Sequence, residues 1–491
     1  MDIYAKWLEG MISSSAALIS VFAFMLSSWG LGELLFTHIL KLNWRDRVFG
    51  PLVSTVAGMN ILGLAGFALG AFGGLTPGGS KLLLIVSTVF SFGLLLFQLK
   101  KNIHPLLSVF KQKKNLFFFI FIVVAFLFFL GSYLCPPAGV GLDEQTYHLP
   151  IPLRWLQDGF FHVYADIPYS GYPSLPEFMM AIVMGAGKSS APRVLVLCVH
   201  MLNISLFYFL LRRYGGVVMS AILAAALLLA GSHMNFMYEV YVECFIIACL
   251  LGGLAVIFHA DWERLSFFKK AFICGFFGAS AAAVKLTAFP VSAVLFFAVA
   301  ATVGWRNIWR VLGGTAIAYV VFALPFYIRT WVLTGNPLWP YYGWIFSKDE
   351  AVIETSRLFH MMGDSHSFGQ GGLPEALMSP FLLCWNDVAF DGDWGLQFGL
   401  LLVLGALSVY YLIASKESSP LKYIGIGGFV FAYIFWMFTS RQARFLEPAI
   451  MLLILAAAYA LQRMRHDIRL LFLVLIAALA LLSSSPNWVR H

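Results

Sequence analysis

Long apolar runs separated by short polar connections dominate the chain. Apolar runs of about 20 residues are typical of helices that cross a membrane. Taking each run as bounded by charged residues or by Gly and Pro, the pattern predicts fourteen spans and two long connections, 135–189 and 330–395. The predicted spans are 12–35, 50–72, 81–99, 115–134, 190–211, 215–231, 238–259, 269–284, 287–303, 309–329, 396–414, 421–439, 446–462 and 469–484. The two short runs on either side of Lys285 are also compatible with one broken hairpin.

The composition agrees with a membrane protein built of helices. Of 491 residues, 60% are hydrophobic and 11% are charged, whereas soluble globular proteins average about 25% charged residues. Such a chain has too little polar surface for a soluble enzyme, a nucleic-acid-binding protein or a disordered scaffold. The first apolar run has no small-residue cleavage site after it, so we expect it to be retained as a span. The predicted fold class is an all-α polytopic membrane protein.

The distribution of Lys and Arg predicts the orientation. Alternate short connections contain 20 of the 32 basic residues, whereas the opposite side has most of the acids and both long connections. The basic residues of the short connections are Lys41, Arg45, Arg47, Lys100, Lys101, Lys111, Lys113, Lys114, Arg212, Arg213, Arg264, Lys269, Lys270, Arg306, Arg310, Lys416, Lys422, Arg463, Arg465 and Arg469. By the positive-inside rule these connections are cytoplasmic, and both termini and both long loops are then outside.

Acidic residues collect on the predicted outer side. Asp143 and Glu144 follow the fourth span directly, and Glu239 and Glu243 open the seventh. Ionisable residues at membrane level are functional candidates, because an unpaired charge in lipid is costly. Two structural alternatives stay open: Asp143 is the cap of an interfacial helix around 153–157, or Glu243 is paired with a buried cation that only holds helices together.

Four basic residues from three regions lie at span ends on the same side, where Lys and Arg are otherwise depleted. These are Lys285, Arg329, Arg441 and Arg444. Snorkelling to the interface accounts for any one of them, but binding of an anionic lipid phosphate accounts better for the set. Carboxylates that accept a proton and cations that stabilise a leaving phosphate suit transfer of a group from a phosphate-bearing lipid to a hydroxyl.

The order of these motifs resembles the GT-C glycosyltransferases, the superfamily of the protein O-mannosyltransferases and the bacterial aminoarabinose transferase for lipid A. The resemblance covers roughly residues 115–465. The matching segments are Asp143-Glu144 followed by Tyr147-His148-Leu149-Pro150, the Lys285-Leu286-Thr287 element, the stretch from Pro325 through Arg329 and Asn336 to Pro340, and Gln442-Ala443-Arg444-Phe445-Leu446-Glu447-Pro448.

The resemblance implies roles for individual residues. Asp143 would be the catalytic base, and Glu144 would support it or help to hold a divalent metal such as Mg or Mn. Lys285, Arg329 and Arg444 would bind the donor phosphate, with Arg444 the strongest candidate. The expected substrate-binding residues are Tyr147, His148, Tyr172, Glu177, Glu239, Glu243 and Asn336.

Two features depart from the family pattern. Some relatives have a Lys-Pro pair in the returning part of the first outer loop, where this chain has Gly171-Tyr172-Pro173. About three additional spans precede that loop. The chain therefore divides into N-terminal extra spans at 1–114, a GT-C-like core at 115–465 and a C-terminal helix at 466–491. The second outer loop contains His360, Asp364, His366, Asp387, Asp391 and Asp393, and we expect a polar lid there rather than a metal loop.

The predicted function is transfer of a sugar from a polyprenyl-phosphate donor to a lipid, glycan or protein acceptor at the outer face of the cytoplasmic membrane. Two alternatives are a transporter or flippase of lipid-linked sugars and an enzyme of the O-antigen polymerase or ligase type. A transporter favours ionisable residues near the membrane midplane, whereas the predicted spans are nearly free of charge at their centres. One disulfide, between Cys135 and Cys384, is compatible with the predicted topology.

Overall fold

The computed structural model describes residues 2–42, 49–111, 120–127, 130, 143–230, 232–233, 237, 239–259, 261–365, 372–385, 390–414, 422–437 and 441–490. Within these ranges the chain is helical, and the only β-type pairings are two isolated bridges, Leu75 with Gly159 and Tyr164 with Ile167. The prediction of an all-α polytopic membrane protein is confirmed.

In the described ranges, nineteen α-helices longer than three residues are labelled in chain order. They are α1 (Asp2–Glu33), α2 (Phe49–Ala71), α3 (Pro77–Lys111), α4 (Pro150–Asp158), α5 (Leu175–Ala186), α6 (Ala191–Leu211), α7 (Val217–Leu228), α8 (Glu243–Ile257), α9 (Phe267–Val284), α10 (Phe289–Val303), α11 (Ile308–Phe322), α12 (Leu324–Thr334), α13 (Gly343–Phe346), α14 (Glu350–Ser365), α15 (Gly372–Leu382), α16 (Leu396–Ala414), α17 (Gly428–Met437), α18 (Glu447–Arg463) and α19 (His466–Arg490). Residues 120–127 are also helical.

The predicted count of fourteen spans is not confirmed. In the described part of the chain, nine helical segments are long and apolar enough to cross a membrane, or ten if the bent pair α11–α12 is one span. Helices α7, α8 and α17 coincide with predicted spans but have only 12, 15 and 10 residues. Most of the predicted span 115–134 lies outside the described residues.

The break between α11 and α12 has a local cause. The two helices meet at an angle of 51°, and Pro325 lies in the first turn of α12. Proline has no backbone N–H and its ring clashes with the preceding turn, so it interrupts a continuous helix. The predicted span 309–329 is therefore two helices, and the bend directs α12 toward the first outer loop.

Helix α5 was not predicted as an element, because residues 175–186 fell inside the first long loop. Eleven of its twelve residues are buried. Two glycines of α2 allow its close approach: a Cβ added at Gly63 would lie 2.5 Å from Leu175 Cδ1, and one at Gly66 would lie 2.9 Å from Ile182 Cδ1. The loop therefore returns into the helical bundle, and the N-terminal helices pack directly against it.

Small residues also join the first three helices. A Cβ at Gly32 would lie 1.7 Å from the Ser54 carbonyl oxygen, and one at Gly58 would lie equally close to that of Ser28. The hydroxyls of Ser27 and Thr88 are 3.0 Å apart. Small and hydroxyl-bearing residues at helix interfaces let backbones approach closely and form hydrogen bonds in lipid, which accounts for the tight packing of α1 with α2 and α3.

The bundle has two chemically different ends. At one, the site end, α8 and α18 begin and α9 ends. At the other, the basic end, α6, α8 and α18 end and α9 begins. Lys269 Nζ donates a hydrogen bond to the Leu40 carbonyl at the basic end, at 2.6 Å. Because α8 and α18 run in the opposite direction to α9, the starts of α8 and α18 lie beside the end of α9. The candidate acids and cations are at these helix ends, so they converge at the site end.

Candidate active site

Asp143 lies in the segment that opens the first outer loop. Its Oδ2 is 2.9 Å from Arg444 Nη1, and 20% of its side chain is exposed. Burial raises the pKa of Asp143, but the positive charges of Arg444 and Lys285 outweigh it, so that the pKa lies below the ordinary value of 3.8. The Tyr147 hydroxyl donates a hydrogen bond to the same carboxylate. Asp143 is thus an ionised, partly accessible carboxylate near neutral pH.

Asp143 does not cap the interfacial helix, so that alternative is wrong. The carboxylate forms no capping hydrogen bond to the π-type turn Glu144–His148 that follows it. Helix α4 begins later, with Leu149 at its N-cap and Pro150 in its first turn. The Asp143 carboxylate therefore faces Arg444 instead of satisfying backbone amides.

Arg444 is held on several sides. Its Nε donates to the Gln442 Oε1 atom at 3.0 Å, and its guanidinium lies 4.5 Å from the Tyr241 ring centroid and 5.1 Å from that of Phe445. The Ala443 backbone N–H donates to the Phe390 carbonyl at 2.7 Å, which fixes the turn that carries Arg444. Guanidinium groups stack on aromatic faces in this manner, so Arg444 is oriented before any ligand binds.

Glu243 and Lys285 form a second ion pair beside the first. Lys285 Nζ is 3.1 Å from Glu243 Oε1, and both side chains are largely buried. Lys285 also lies 4.7 Å from the centroid of the Phe445 ring. The pair joins the start of α8 to the end of α9, as the structural alternative for Glu243 required, and it also brings a cation next to Arg444.

Glu144 points away from the Asp143 carboxylate. Its Oε1 lies 3.1 Å from Arg193 Nε, and its Oε2 accepts the Val240 N–H at 2.9 Å. It therefore connects the first outer loop to α6 and to the segment before α8. Glu239 lies close by and is half-buried; burial raises its pKa, and its hydrogen bond with Tyr241 partly offsets this.

The predicted substrate-binding residues of the first loop form a layer next to Asp143. His148 Nδ1 is 2.7 Å from Glu177 Oε1, and both residues are buried. The Tyr147 ring stacks on that of Tyr169 at 4.4 Å between centroids, and Tyr172 meets Tyr169 edge-on at 5.5 Å. His148, Glu177 and Tyr147 are buried and pack together in this layer, which therefore supports the segment that carries Asp143.

Arg329 is not brought into this cluster. Its Nη1 and Nη2 donate to the carbonyls of Tyr172 and Ser170, at 2.8 and 2.7 Å. Its guanidinium also lies over the rings of Trp155 and Phe161, and 3% of the residue is exposed. Arg329 therefore ties α12 to the returning part of the first loop.

Among the contacts of the described residues, the side chain of Asn336 likewise hydrogen-bonds only to backbone groups. It is fully buried, its Nδ2 donates to the Tyr341 carbonyl at 2.7 Å, and its Oδ1 accepts the Leu338 N–H at 2.9 Å. Both ends of the amide therefore stabilise the turn after α12. The structure leaves this side chain no surface to offer a substrate.

The structure adds residues that sequence reasoning had not placed in the site. Asp391, from the second outer loop, is close enough to Arg444 and Asp143 for their charges to act on it; burial is the largest effect and raises its pKa. Its backbone has φ of +53°, which Asp tolerates better than most residues. The Asp391-Gly392 pair was a turn signal in the sequence, but the sequence could not show what the turn faces.

Arg193 and the His233–Glu447 pair were also missed. Arg193 lies inside a predicted span, so the cost of a charge in lipid was a signal that could have found it. His233 Nδ1 is 2.6 Å from Glu447 Oε1, both at 1% exposure, and the pair connects to the turn of Arg444. His200 packs edge-on against His233, with centroids 5.4 Å apart.

The predictions about a metal ion and a disulfide fall partly on residues outside the described ranges. Among the described residues, no group of three or more His, Cys, Asp or Glu side chains is close enough to hold a metal ion. Cys384 is a free thiol, and Cys135 lies outside the described residues, as do His366 and Asp387.

Comparison with known proteins gave one structural likeness. No protein-family model matches the sequence, and no curated protein is significantly similar to it. The chain is similar to the crystal structure of ArnT from Cupriavidus metallidurans bound to undecaprenyl phosphate, with 16% sequence identity and a TM-score of 0.47. The likeness covers 74% of this chain and 63% of the ArnT chain.

Proposed function

We propose that the protein is a GT-C-type glycosyltransferase that moves a sugar from a polyprenyl-phosphate donor to an acceptor hydroxyl. The observation that carries the proposal is the contact of an ionised, partly exposed carboxylate, Asp143, with an oriented guanidinium, Arg444. The carrier lipid proposed is of the class that the ArnT structure contains.

The cluster supports an inverting displacement. Asp143 accepts the proton of the acceptor hydroxyl as its oxygen attacks the anomeric carbon. The bond between that carbon and the phosphate oxygen breaks, and its electron pair leaves with polyprenyl phosphate. Arg444, with Lys285 beside it, stabilises the negative charge that develops on the phosphate.

Asp143 and the donor phosphate would compete for Arg444. Arg444 Nη1 lies 2.9 Å from Asp143 Oδ2. A guanidinium has five N–H donors in a fixed fork, so it can bind a phosphate and stay near the carboxylate. Binding of donor would then weaken the Asp143–Arg444 contact and make the base more basic at the moment it is needed.

The geometry revises two of the expected roles. We propose that Arg329 positions the first loop instead of binding phosphate, because two of its nitrogens bind loop carbonyls. Glu144 acts in the same way through Arg193 and Val240. No step is assigned to a metal ion.

We propose that the reaction takes place on the outer face of the cytoplasmic membrane. The positive-inside rule assigns the basic end to the cytoplasm, and the site end is the opposite end of the bundle. A lipid-linked sugar flippase is the second candidate, because the bent pair α11–α12 is the kind of interrupted helix that transporters place at their binding sites.

Donor turnover by purified protein in liposomes tests the proposal. Wild-type protein is given a panel of synthetic polyprenyl-phosphate sugars, and release of polyprenyl phosphate is measured. We expect Asp143→Asn to lower the rate by about a hundredfold or more, as loss of a general base does. Asp166→Asn is the matched control, since Asp166 lies in the same loop but pairs with Arg154 at the surface.

The other outcomes separate the alternatives. Equal turnover by Asp143→Asn and wild type would remove Asp143 as the base. If no donor is consumed but labelled donor crosses the bilayer, the flippase assignment replaces the transferase. A parallel measurement with EDTA determines whether turnover needs a divalent metal.

A further inference from the structure

The basic end of the bundle contains a cavity that the proposed transfer does not use. Its volume is 390 Å³, within the range of about 300–1,000 Å³ that small-molecule sites occupy. It lies between the end of the first span and the start of α9. The lining residues are Lys41, Leu42, Asp261, Arg264, Leu265, Ser266 and Lys269.

Three cations converge on this cavity from two distant parts of the sequence. Lys41 comes from the first span, whereas Arg264 and Lys269 flank the start of α9. The hydrogen bond from Lys269 to the Leu40 carbonyl, at 2.6 Å, holds the two parts together. A fixed concave arrangement of this kind differs from basic side chains that only extend into the lipid head-group layer.

The charge balance of the cavity is positive. Among the described residues of the lining, Asp261 is the one acid, and its Oδ1 is 3.2 Å from Arg264 Nη1. Three cations and one carboxylate leave a net charge of +2 on these described lining residues. The Asp261 contact uses one of the five donors of the guanidinium, and the side chain of Arg264 is 72% exposed. Donors therefore remain available for an anion.

We infer that this cavity binds a phosphate group. Arg and Lys together are the side chains that bind phosphate oxygens, Arg through its planar fork and Lys as a point charge. Basic pockets between membrane helices commonly bind the phosphates of anionic lipids. The neighbouring Phe267 and Phe268 are 38% and 50% exposed, as suits a group held at a lipid boundary. The phosphate belongs to a lipid head group or to a free phosphate compound.

Two binding measurements on the full-length protein distinguish these sources. In the first, purified protein in detergent is titrated with inorganic phosphate at constant low ionic strength. In the second, nanodiscs of phosphatidylcholine containing a fifth of phosphatidylglycerol are used, and native mass spectrometry counts the phosphatidylglycerol retained. Binding in the first arm identifies a free phosphate compound as sufficient, and retention in the second arm alone identifies a lipid head group.

Charge variants test the site itself. Lys41→Gln with Arg264→Gln should lower the affinity at least about tenfold, since each removes a charged contact. Asp261→Asn should raise the affinity, because it removes the acid of the lining. The matched control is Arg306→Gln with Arg465→Gln, which removes the same charge from the same end outside the cavity. Melting temperature and monodispersity in detergent report whether each variant is folded.

Two results overturn the inference. One is the absence of binding to wild type in both arms. The other is an equal loss in the cavity pair and the control pair, which would show only general attraction to a basic surface. A loss confined to the cavity pair, together with the gain in Asp261→Asn, supports it. Because every readout is binding, failure of the proposed sugar transfer leaves this test unaffected.

Discussion

Arg444 and Arg329 are two buried arginines with the same sequence signature and different surroundings. Both follow or end an apolar run on the side where cations are depleted. Arg444 contacts a carboxylate and aromatic faces at the edge of an accessible site. Arg329 binds two backbone carbonyls and lies over buried rings. A buried cation beside an ionised acid can exchange that partner for a phosphate, whereas one bound to carbonyls holds a loop in place.

The largest expected effect comes from the same substitution at the two positions. Arg444→Gln should lower kcat for donor turnover by about 10²–10³-fold, the cost of removing one preorganised donor from a developing anion. The melting temperature should fall too, because Asp143 and Gln442 lose a charged partner, so kcat is expressed per folded molecule. Turnover and thermal unfolding are measured on one preparation, with Arg441→Gln as the neighbouring control. A rate within a few fold of wild type would show that Arg444 does not meet the phosphate.

Arg329→Gln should lower the stability without lowering the rate per folded molecule. Each lost hydrogen bond to a charged donor costs about 1.5–3 kcal/mol, so the melting temperature should fall by several degrees. The rate per folded molecule should stay within about threefold of wild type. A rate loss as large as that of Arg444→Gln, with unchanged melting, would make Arg329 a phosphate ligand and erase the difference between the two arginines.

The His233–Glu447 pair offers a way to sharpen the role of Arg444. Glu447 begins α18 three residues after Arg444, and its carboxylate is 2.6 Å from His233. Glu447→Gln should lower kcat about tenfold by loosening the turn that carries the guanidinium. In an Arg444→Gln background the same change should have almost no effect on kcat, because the guanidinium that the turn positions is then absent. Additive losses in the double variant would contradict this.

The pH dependence is the smallest of the expected effects. Asp143 has a folded pKa below its ordinary value of 3.8 because of Arg444 and Lys285, despite its burial. A general base acts in its ionised form, and the ionised fraction of Asp143 is lost only as pH falls through its lowered pKa. Turnover should therefore be flat from about pH 7 to 5. In Arg444→Gln the acid limb of the residual rate should move to higher pH. An unmoved limb would show that Arg444 does not lower the pKa of Asp143.

Part of the fold was predictable because it depends on local composition. The apolar runs near α1, α2, α3, α6, α9, α10, α16, α18 and α19 were long enough to be recognised, and each is a helix. Helix α5 was not predicted, because its twelve residues are too few for a span and its partners are glycines of α2, far away in the sequence. Pro325 was visible in the sequence, but it was placed inside the span 309–329 and was not recognised as the boundary between two helices.

For the candidate site, the sequence predicted the end of the bundle at which its residues lie, but not their contacts. Asp143 and Arg444 were singled out for their position beside spans, and the structure brings them together. Their neighbour Asp391 was seen only as part of a loop. Glu144, adjacent to Asp143 in the chain, was assigned a similar role, yet it faces Arg193 instead. Successive residues of a helical turn point in different directions, so adjacency in sequence does not give a shared site.

The sequence by itself determined a helical multi-pass membrane protein with acids and unexpected cations on one side. It could do so because the cost of burying charge in lipid acts on each span separately. Only the tertiary structure decided which cation meets which partner. That choice depends on contacts between residues as distant as 143 and 444, or 172 and 329, and these are set by how the helices pack. Whether a buried arginine contacts a carboxylate, as Arg444 does, or loop carbonyls, as Arg329 does, is therefore a property of the assembled bundle.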